Sequence, residues 1–84
     1  MPGAYDQAKR CFEIIATALA EAGATVDQVV RTRMFLTDTA DSDAVGRAHG
    51  EVMVRARPAA TMVVVKELLD ERWKVEIEAE AIIS

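Results

Sequence analysis

The chain carries one cysteine, one histidine, one tryptophan, one tyrosine, two phenylalanines and two prolines. Each scarcity excludes something. Cys11 has no second cysteine to pair with, so no disulfide forms within the chain. A closed zinc site takes about four ligands, more than one His and one Cys supply, and no metal or cofactor is expected. No stretch approaches the roughly 20 apolar residues that cross a bilayer, and no signal-peptide pattern opens the chain; the expected location is the cytoplasm. Positive charge is also short. Lys and Arg number 10 against 14 Asp and Glu, a net charge of −4, whereas nucleic-acid binding shows a basic surface, so nucleic acid is not the expected partner. There are no internal repeats, no low-complexity tract and no Gly-rich phosphate loop.

What is present is a single 84-residue domain with 51% hydrophobic residues. A chain this short buries only about 60–65% of its unfolded surface. It needs help from disulfides, metals or association. With the first two excluded, oligomerisation remains.

Met1-Pro2-Gly3 reads as a turn. A helix then runs from Tyr5 to Ala22: Ala8, Cys11, Phe12, Ile15, Leu19 and Ala22 recur at helical spacing. Cys11 falls on that apolar stripe and reads as a small core residue. Gly23 suits a left-handed C-terminal cap, and Thr25-Val26-Asp27-Gln28 has capping-box spacing for one short turn. A second helix spans Ser42 to Val54, with Val45, Ala48, His49, Val52 and Met53 on its apolar side. Gly46 and Gly50 weaken it by roughly 1 kcal/mol each relative to alanine, and their spacing suits close approach of another backbone.

Three strands complete the pattern. Val29 to Leu36 alternates, with Val30, Thr32, Met34 and Leu36 on one face and Arg31, Arg33 and Phe35 on the other. Pro58 pushes Arg57 toward extended backbone, and Ala60 to Lys66 is a strand whose apolar run suggests cover on both faces. Leu68 to Arg72 is a connector. Trp73 to Ile83 alternates most cleanly, with Val75, Ile77, Ala79, Ala81 and Ile83 opposite Lys74, Glu76, Glu78 and Glu80. The order helix, strand, helix, strand, strand makes an α/β (α+β) sandwich, two helices on one face of a sheet. The other sheet face, with Phe35 and several valines, is expected to be covered by another subunit.

Charged side chains in rows and pairs are the candidates for chemistry. Glu76, Glu78 and Glu80 form a carboxylate row, and Arg31 and Arg33 share its two-residue spacing. If the strands are neighbours, a cross-strand ionic ladder results. The alternative is that one glutamate, Glu76, faces a cleft and activates water. Arg55 and Arg57 flank a rigid loop and are candidates to grip a carboxylate; surface or interface ion pairs are the plainer use. His49 reads as a packed or interface residue and Trp73 as a packing residue.

The segments AGATVDQVVRTRMFLTD, AVGRAHGEVM, RPAATMVVV and WKVEIEAEA together resemble the RidA (YjgF) family, also labelled endoribonuclease L-PSP. The resemblance runs from Tyr5 onward. It implies a chorismate-mutase-like fold with a mixed sheet, a homotrimer with clefts between subunits, and cofactor-free hydrolysis of small reactive imines or enamines such as 2-aminoacrylate. It also implies a domain that lacks the family's N-terminal strands, which leaves the last strand beside an empty position. Carried onto this sequence, the catalytic glutamate is Glu76, and the substrate-binding positions are Arg57, Ala60, Thr61, Met62 and Gly46. Ala60 stands where deaminating members have an arginine that binds the substrate carboxylate, Gly46 where an asparagine is frequent, and Met62 at a cysteine-type position. A charged hydrogen bond of that kind contributes about 1.5–3 kcal/mol, so the resemblance implies weakened action on amino-acid-derived imines. A non-catalytic small-ligand-binding or scaffold trimer is the alternative; RNA cleavage or translation inhibition, as the older label suggests, is the third reading.

Overall fold

A computed structural model describes residues 3–83; Met1 and Pro2, where the sequence suggests a turn, lie outside the described residues. Helix α1 spans Ala4–Glu21, strand β1 Val29–Leu36, helix α2 Ser42–Val52, strand β2 Ala59–Val64 and strand β3 Val75–Ala81. The sheet order is β2-β1-β3. β1 and β2 run parallel, joined by α2 as the crossover, and β3 returns antiparallel on the other side of β1. Both helices lie on one face, in a chorismate-mutase-like arrangement.

The helices form where apolar residues recur at helical spacing, and they end for local reasons. α1 stops at Gly23, whose φ of 84° is the left-handed conformation that glycine adopts without penalty. The short 3-10 turn Val26–Gln28 is set by a capping box, in which the Thr25 N–H donates to Gln28 Oε1 at 2.9 Å. Asp38 caps the next 3-10 turn, Thr39–Asp41, by accepting from the Ala40 N–H.

The core lies between helices and sheet. Ala4, Ala8 and Phe12 come from α1, Val45 and Ala48 from α2, and Val29, Met34, Leu36 and Val75 from the strands. The alanines let α1 approach the sheet closely. Phe12, Leu36 and Val45 are almost wholly buried, and each contributes roughly 1.5–3 kcal/mol of transfer free energy. On the outer surface Tyr5 donates to Glu51, the Arg47 guanidinium lies 4.3 Å from the Tyr5 ring centre, and Lys9 reaches Glu51 at 3.4 Å. This cluster ties α1 to α2.

Several details depart from the sequence reading. Val30 does not share the buried face of β1; it is exposed, and Val29 is buried instead. A register shift between Val29 and Arg31 exchanges the two, as an extra residue in one strand does. Ala22 is exposed at the α1 terminus. β3 is shorter than the alternation suggests: Trp73 precedes it, and Ile82 and Ile83 follow it as exposed residues. β2 ends at Val64 and is mostly exposed within one chain, because it is an edge strand. Arg57 is not extended: its φ is +47°. Its N–H donates to the Met53 carbonyl at 2.9 Å, closing a turn just past the Met53 cap of α2, and this bond outweighs the preference imposed by the following proline.

Candidate functional site

The face of the sheet away from the helices gathers Arg31, Arg33 and Phe35 from β1, Ala59, Thr61 and Val63 from β2, and Glu76, Glu78 and Glu80 from β3. No described element packs over it. The register decides its electrostatics. Arg31 stands opposite Glu80 and hydrogen-bonds to it, and Arg33 stands opposite Glu78 at 2.7 Å. The ladder depresses the Glu80 pKa and raises that of Arg31, chiefly through their hydrogen bond. The third rung differs. Glu76 stands opposite Phe35. Among the described residues it has neither ion pair nor side-chain hydrogen bond, unlike the other two glutamates of its row.

Glu76 also sits where two cavities meet. One, of about 490 Å³, runs between α1 and the free edge of β3. Cys11, Ile14, Ile15, Trp73 and Ile77 give it apolar walls, with Asp6 and Arg10 at the rim. The other, of about 470 Å³, is formed by Glu67, Leu68 and Leu69 of the β2–β3 connector against Glu76. Gln7 closes one end of the first: its Oε1 accepts from the Lys74 N–H at 2.8 Å and its Nε2 donates to the Arg72 carbonyl at 3.1 Å. Cys11 lines this groove and is half-buried, no longer simply a core residue. Desolvation raises its thiol pKa, and the Glu76 charge raises it further. The thiol therefore stays protonated at neutral pH and is a poor nucleophile. Ile14, exposed and off the buried stripe, was the available signal for a second apolar face on α1.

The remaining candidates lie elsewhere on the protomer. Ala60 and Met62 project to the helix side of β2, in register with Thr32 and Met34. A side chain at Gly46 would meet Met62 Cε at 4.0 Å, so α2 and β2 bring Gly46 and Met62 together. Thr61 is on the open face with Glu76, but β1 lies between them. Ala59 pairs with Arg31 while Glu76 pairs with Phe35. At about 3.3 Å per residue and 4.8 Å between strands, those two positions are roughly 16 Å apart, and Arg57 lies beyond Ala59. One protomer thus holds two groups: Glu76 at one corner, and Arg57, Ala60, Thr61, Met62 and Gly46 around β2.

His49 belongs to the packing. Its Nε2 lies 2.8 Å from Thr32 Oγ1, and its ring meets Phe12 edge-on at 5.8 Å between centroids. Among the described residues no cluster of three or more His, Cys, Asp or Glu side chains is placed to hold a metal ion, and no helix is long and apolar enough to cross a membrane.

A mixed sheet with helices on one face and an uncovered carboxylate row on the other defines a chorismate-mutase-like domain. The family model for endoribonuclease L-PSP matches residues 2–83; the chain belongs to this family, also called RidA or YjgF. An uncharacterised protein of Streptomyces coelicolor is 43% identical over 77 residues, 92% of this chain and 58% of that protein. A YjgF/YER057c/UK114-family structure from Mycobacterium tuberculosis superimposes with a TM-score of 0.92 at 37% identity, covering 98% of this chain and 71% of that one. Escherichia coli TdcF with bound serine gives a TM-score of 0.90 at 25% identity, covering 100% and 68%. The chain spans 58% and 48% of the first two curated relatives it matches.

Proposed function

We propose that this chain forms a homotrimeric, cofactor-free hydrolase of small imines or enamines, with its ligand clefts between subunits and Glu76 as the catalytic base. The observation that carries this reading is the Glu76 carboxylate, unpaired among the described residues and lining two cavities, beside two glutamates that arginines neutralise. Family membership supports it, as does the open sheet face, where Phe35 and Val63 await cover that a copy of the chain supplies. Trimerisation places the β2 group of one protomer against Glu76 of the next. The backbone of Pro58–Thr61 orients the substrate, Ala60, Met62 and Gly46 form an apolar wall, and Arg57 faces the ligand. The cytoplasm is the proposed location.

The chemistry is simple. Glu76 takes a proton from water as the oxygen adds to the C=N carbon. That proton passes to nitrogen to give a carbinolamine; Glu76 then relays the remaining hydroxyl proton to nitrogen as the C–N bond breaks, and a carbonyl compound and ammonia leave. Glu76→Gln keeps the shape and removes the base, and turnover of freshly generated 2-aminoacrylate or a carboxylate-free imine should fall by about 10²–10⁴-fold. Its stability should not fall, since no ion pair is lost, whereas Glu78→Gln should lose up to about 1 kcal/mol with its half-exposed Arg33 pair. Wild-type protein that is monomeric by solution mass, or whose turnover survives Glu76→Gln, sinks the reading.

Ala60 favours a second reading, a non-catalytic small-ligand-binding or scaffold trimer, because alanine offers the ligand neither charge nor donor. A folded trimer with no turnover on either substrate selects it. RNA cleavage, suggested by the family's older label, lacks the support of a histidine pair or a basic surface, the net charge being −4 with one histidine.

A further inference from the structure

We propose that the outer edge of β3, with the groove between it and α1, takes up an extended segment of another protein as a fourth strand, its apolar side chains turned to α1 and a lysine or arginine beside Glu76. Three observations carry it.

The first is a row of main-chain groups with nothing to bond. β3 is an edge strand of the sheet. At one end the Lys74 carbonyl accepts from the Thr37 N–H, and at the other the Ile82 N–H donates to the Gln28 carbonyl. Both bonds point to the β1 side. The register shift near Val29 puts its extra residue in β1 and leaves the alternation of β3 whole. Bonded and non-bonded positions alternate along an antiparallel pair. Glu76, Glu78 and Glu80 therefore direct their main-chain groups to β1, and Val75, Ile77, Ala79 and Ala81 direct theirs outward. Among the described residues no main-chain bond meets those four from outside. An uncovered edge of this kind is a template for strand addition.

The second is the space beside that edge. The cavity of about 490 Å³ runs along it, walled by Ile14 and Ile15 of α1 and by Trp73 and Ile77. Ile14 is 55% exposed and Trp73 43%, and exposed Ile82 and Ile83 continue the apolar surface past the end of β3. Successive side chains of a strand point to opposite faces. A segment paired with β3 thus turns every second residue into the apolar groove and the others onto the open sheet face.

The third is charge, which decides the occupant. On the open face the added residues lie beside Glu76, Glu78 and Glu80. Arg33 and Arg31 hold the last two, and Glu76 has no ion pair among the described residues. Asp6 adds a carboxylate at the groove rim, where Arg10 is taken up by Glu13 at 3.3 Å. A second copy offers its own β3 poorly: pairing the two strands sets one glutamate row against the other, and like charges opposite one another destabilise a sheet. A segment with a cation at that place gains instead. A cation seated there neutralises Glu76, so docking and the hydrolysis proposed above would compete.

The test uses the whole chain and capped seven-residue peptides, the length of β3: valine alternating with lysine, valine alternating with glutamate, and the lysine peptide methylated on its backbone nitrogens. Binding is followed by titration and by amide hydrogen exchange, neither of which needs turnover, so the outcome is separate from that of the hydrolase reading. The lysine peptide should bind at least about tenfold more tightly than the glutamate peptide, the sum of attractive against repulsive cross-strand pairs. It should slow exchange most at Val75, Ile77, Ala79 and Ala81, with Glu76, Glu78 and Glu80, already bonded to β1, as the reference. Methylation should abolish binding, because main-chain bonds supply the affinity. Glu76→Gln, which breaks no ion pair, should narrow the preference for lysine; Ile14→Ser, at an exposed position, should weaken both peptides alike. Equal binding of the lysine and glutamate peptides, equal binding after methylation, or binding without slowed exchange at the four amides overturns the proposal. So does protection of those amides in the protein alone, which gives the edge to a second copy.

Discussion

Thr32 Oγ1 and His49 Nε2 lie 2.8 Å apart between α2 and β1, with Thr32 only 1% exposed. This is a polar contact on the helix side of the central strand. Burial lowers the His49 pKa from its ordinary 6.5. The folded state therefore holds a neutral ring where the unfolded chain would bind a proton.

Stability should follow the proton count. Above pH 6.5 neither state protonates His49, and its contribution is complete. As pH falls below 6.5 the unfolded chain takes up the proton first, so stability declines until the lower folded-state pKa is passed. The carboxylates that partners hold low, Asp70 at about 2 beside Arg72 and Glu51 and Glu80 below 4.5, lose their contribution only further into acid. Thermal melts should thus show a decline in Tm between pH 6.5 and 5 that Thr32→Val steepens or preserves and His49→Asn flattens. A wild-type profile level across that window contradicts the assignment.

The glycines of α2 give a prediction of opposite sign. A methyl group at Gly50 meets nothing within 4 Å, and one at Gly46 meets only Met62 Cε at 4.0 Å. Neither glycine is required by close packing within the chain. Gly50→Ala and Gly46→Ala should each stabilise the protomer by roughly 1 kcal/mol in chemical denaturation. Destabilisation at either position would mean that the helix face is occupied by something outside the protomer.

Ala60 offers a gain-of-function test. It is an exposed β2 residue beside Thr32 in register. Ala60→Arg should restore a carboxylate anchor of about 1.5–3 kcal/mol and raise kcat/KM on 2-aminoacrylate by one to two orders of magnitude, with little effect on a carboxylate-free imine. An equal change on both substrates would show that position 60 does not address the carboxylate.

Much of the fold was legible because local periodicity carries it. The alternation Arg31, Arg33, Phe35 against Thr32, Met34, Leu36 set one strand, and the stripe Ala8, Phe12, Ile15 set α1. The matching spacing of two arginines and three glutamates announced the ladder. It did not say which glutamate would be left over, because that depends on register: a shift of two residues would have paired Glu76 and exposed Glu80. Arg57 was misread because its proline neighbour is visible in sequence while the Met53 carbonyl that draws it into a left-handed turn is not. The groove beside Cys11 and Trp73 was missed for the same kind of reason, since its walls come from α1 and β3, distant in the chain.

The amino-acid order alone determined the elements, the acidic balance and the family likeness, because each is written in neighbours two to four residues apart. Only the tertiary structure decided that β1 lies between β2 and β3, that Glu76 meets Phe35 and not an arginine, and that Arg57 and Glu76 stand at opposite corners. Those facts come from the pairing of strands far apart in the chain, whose register is fixed by packing the whole core at once.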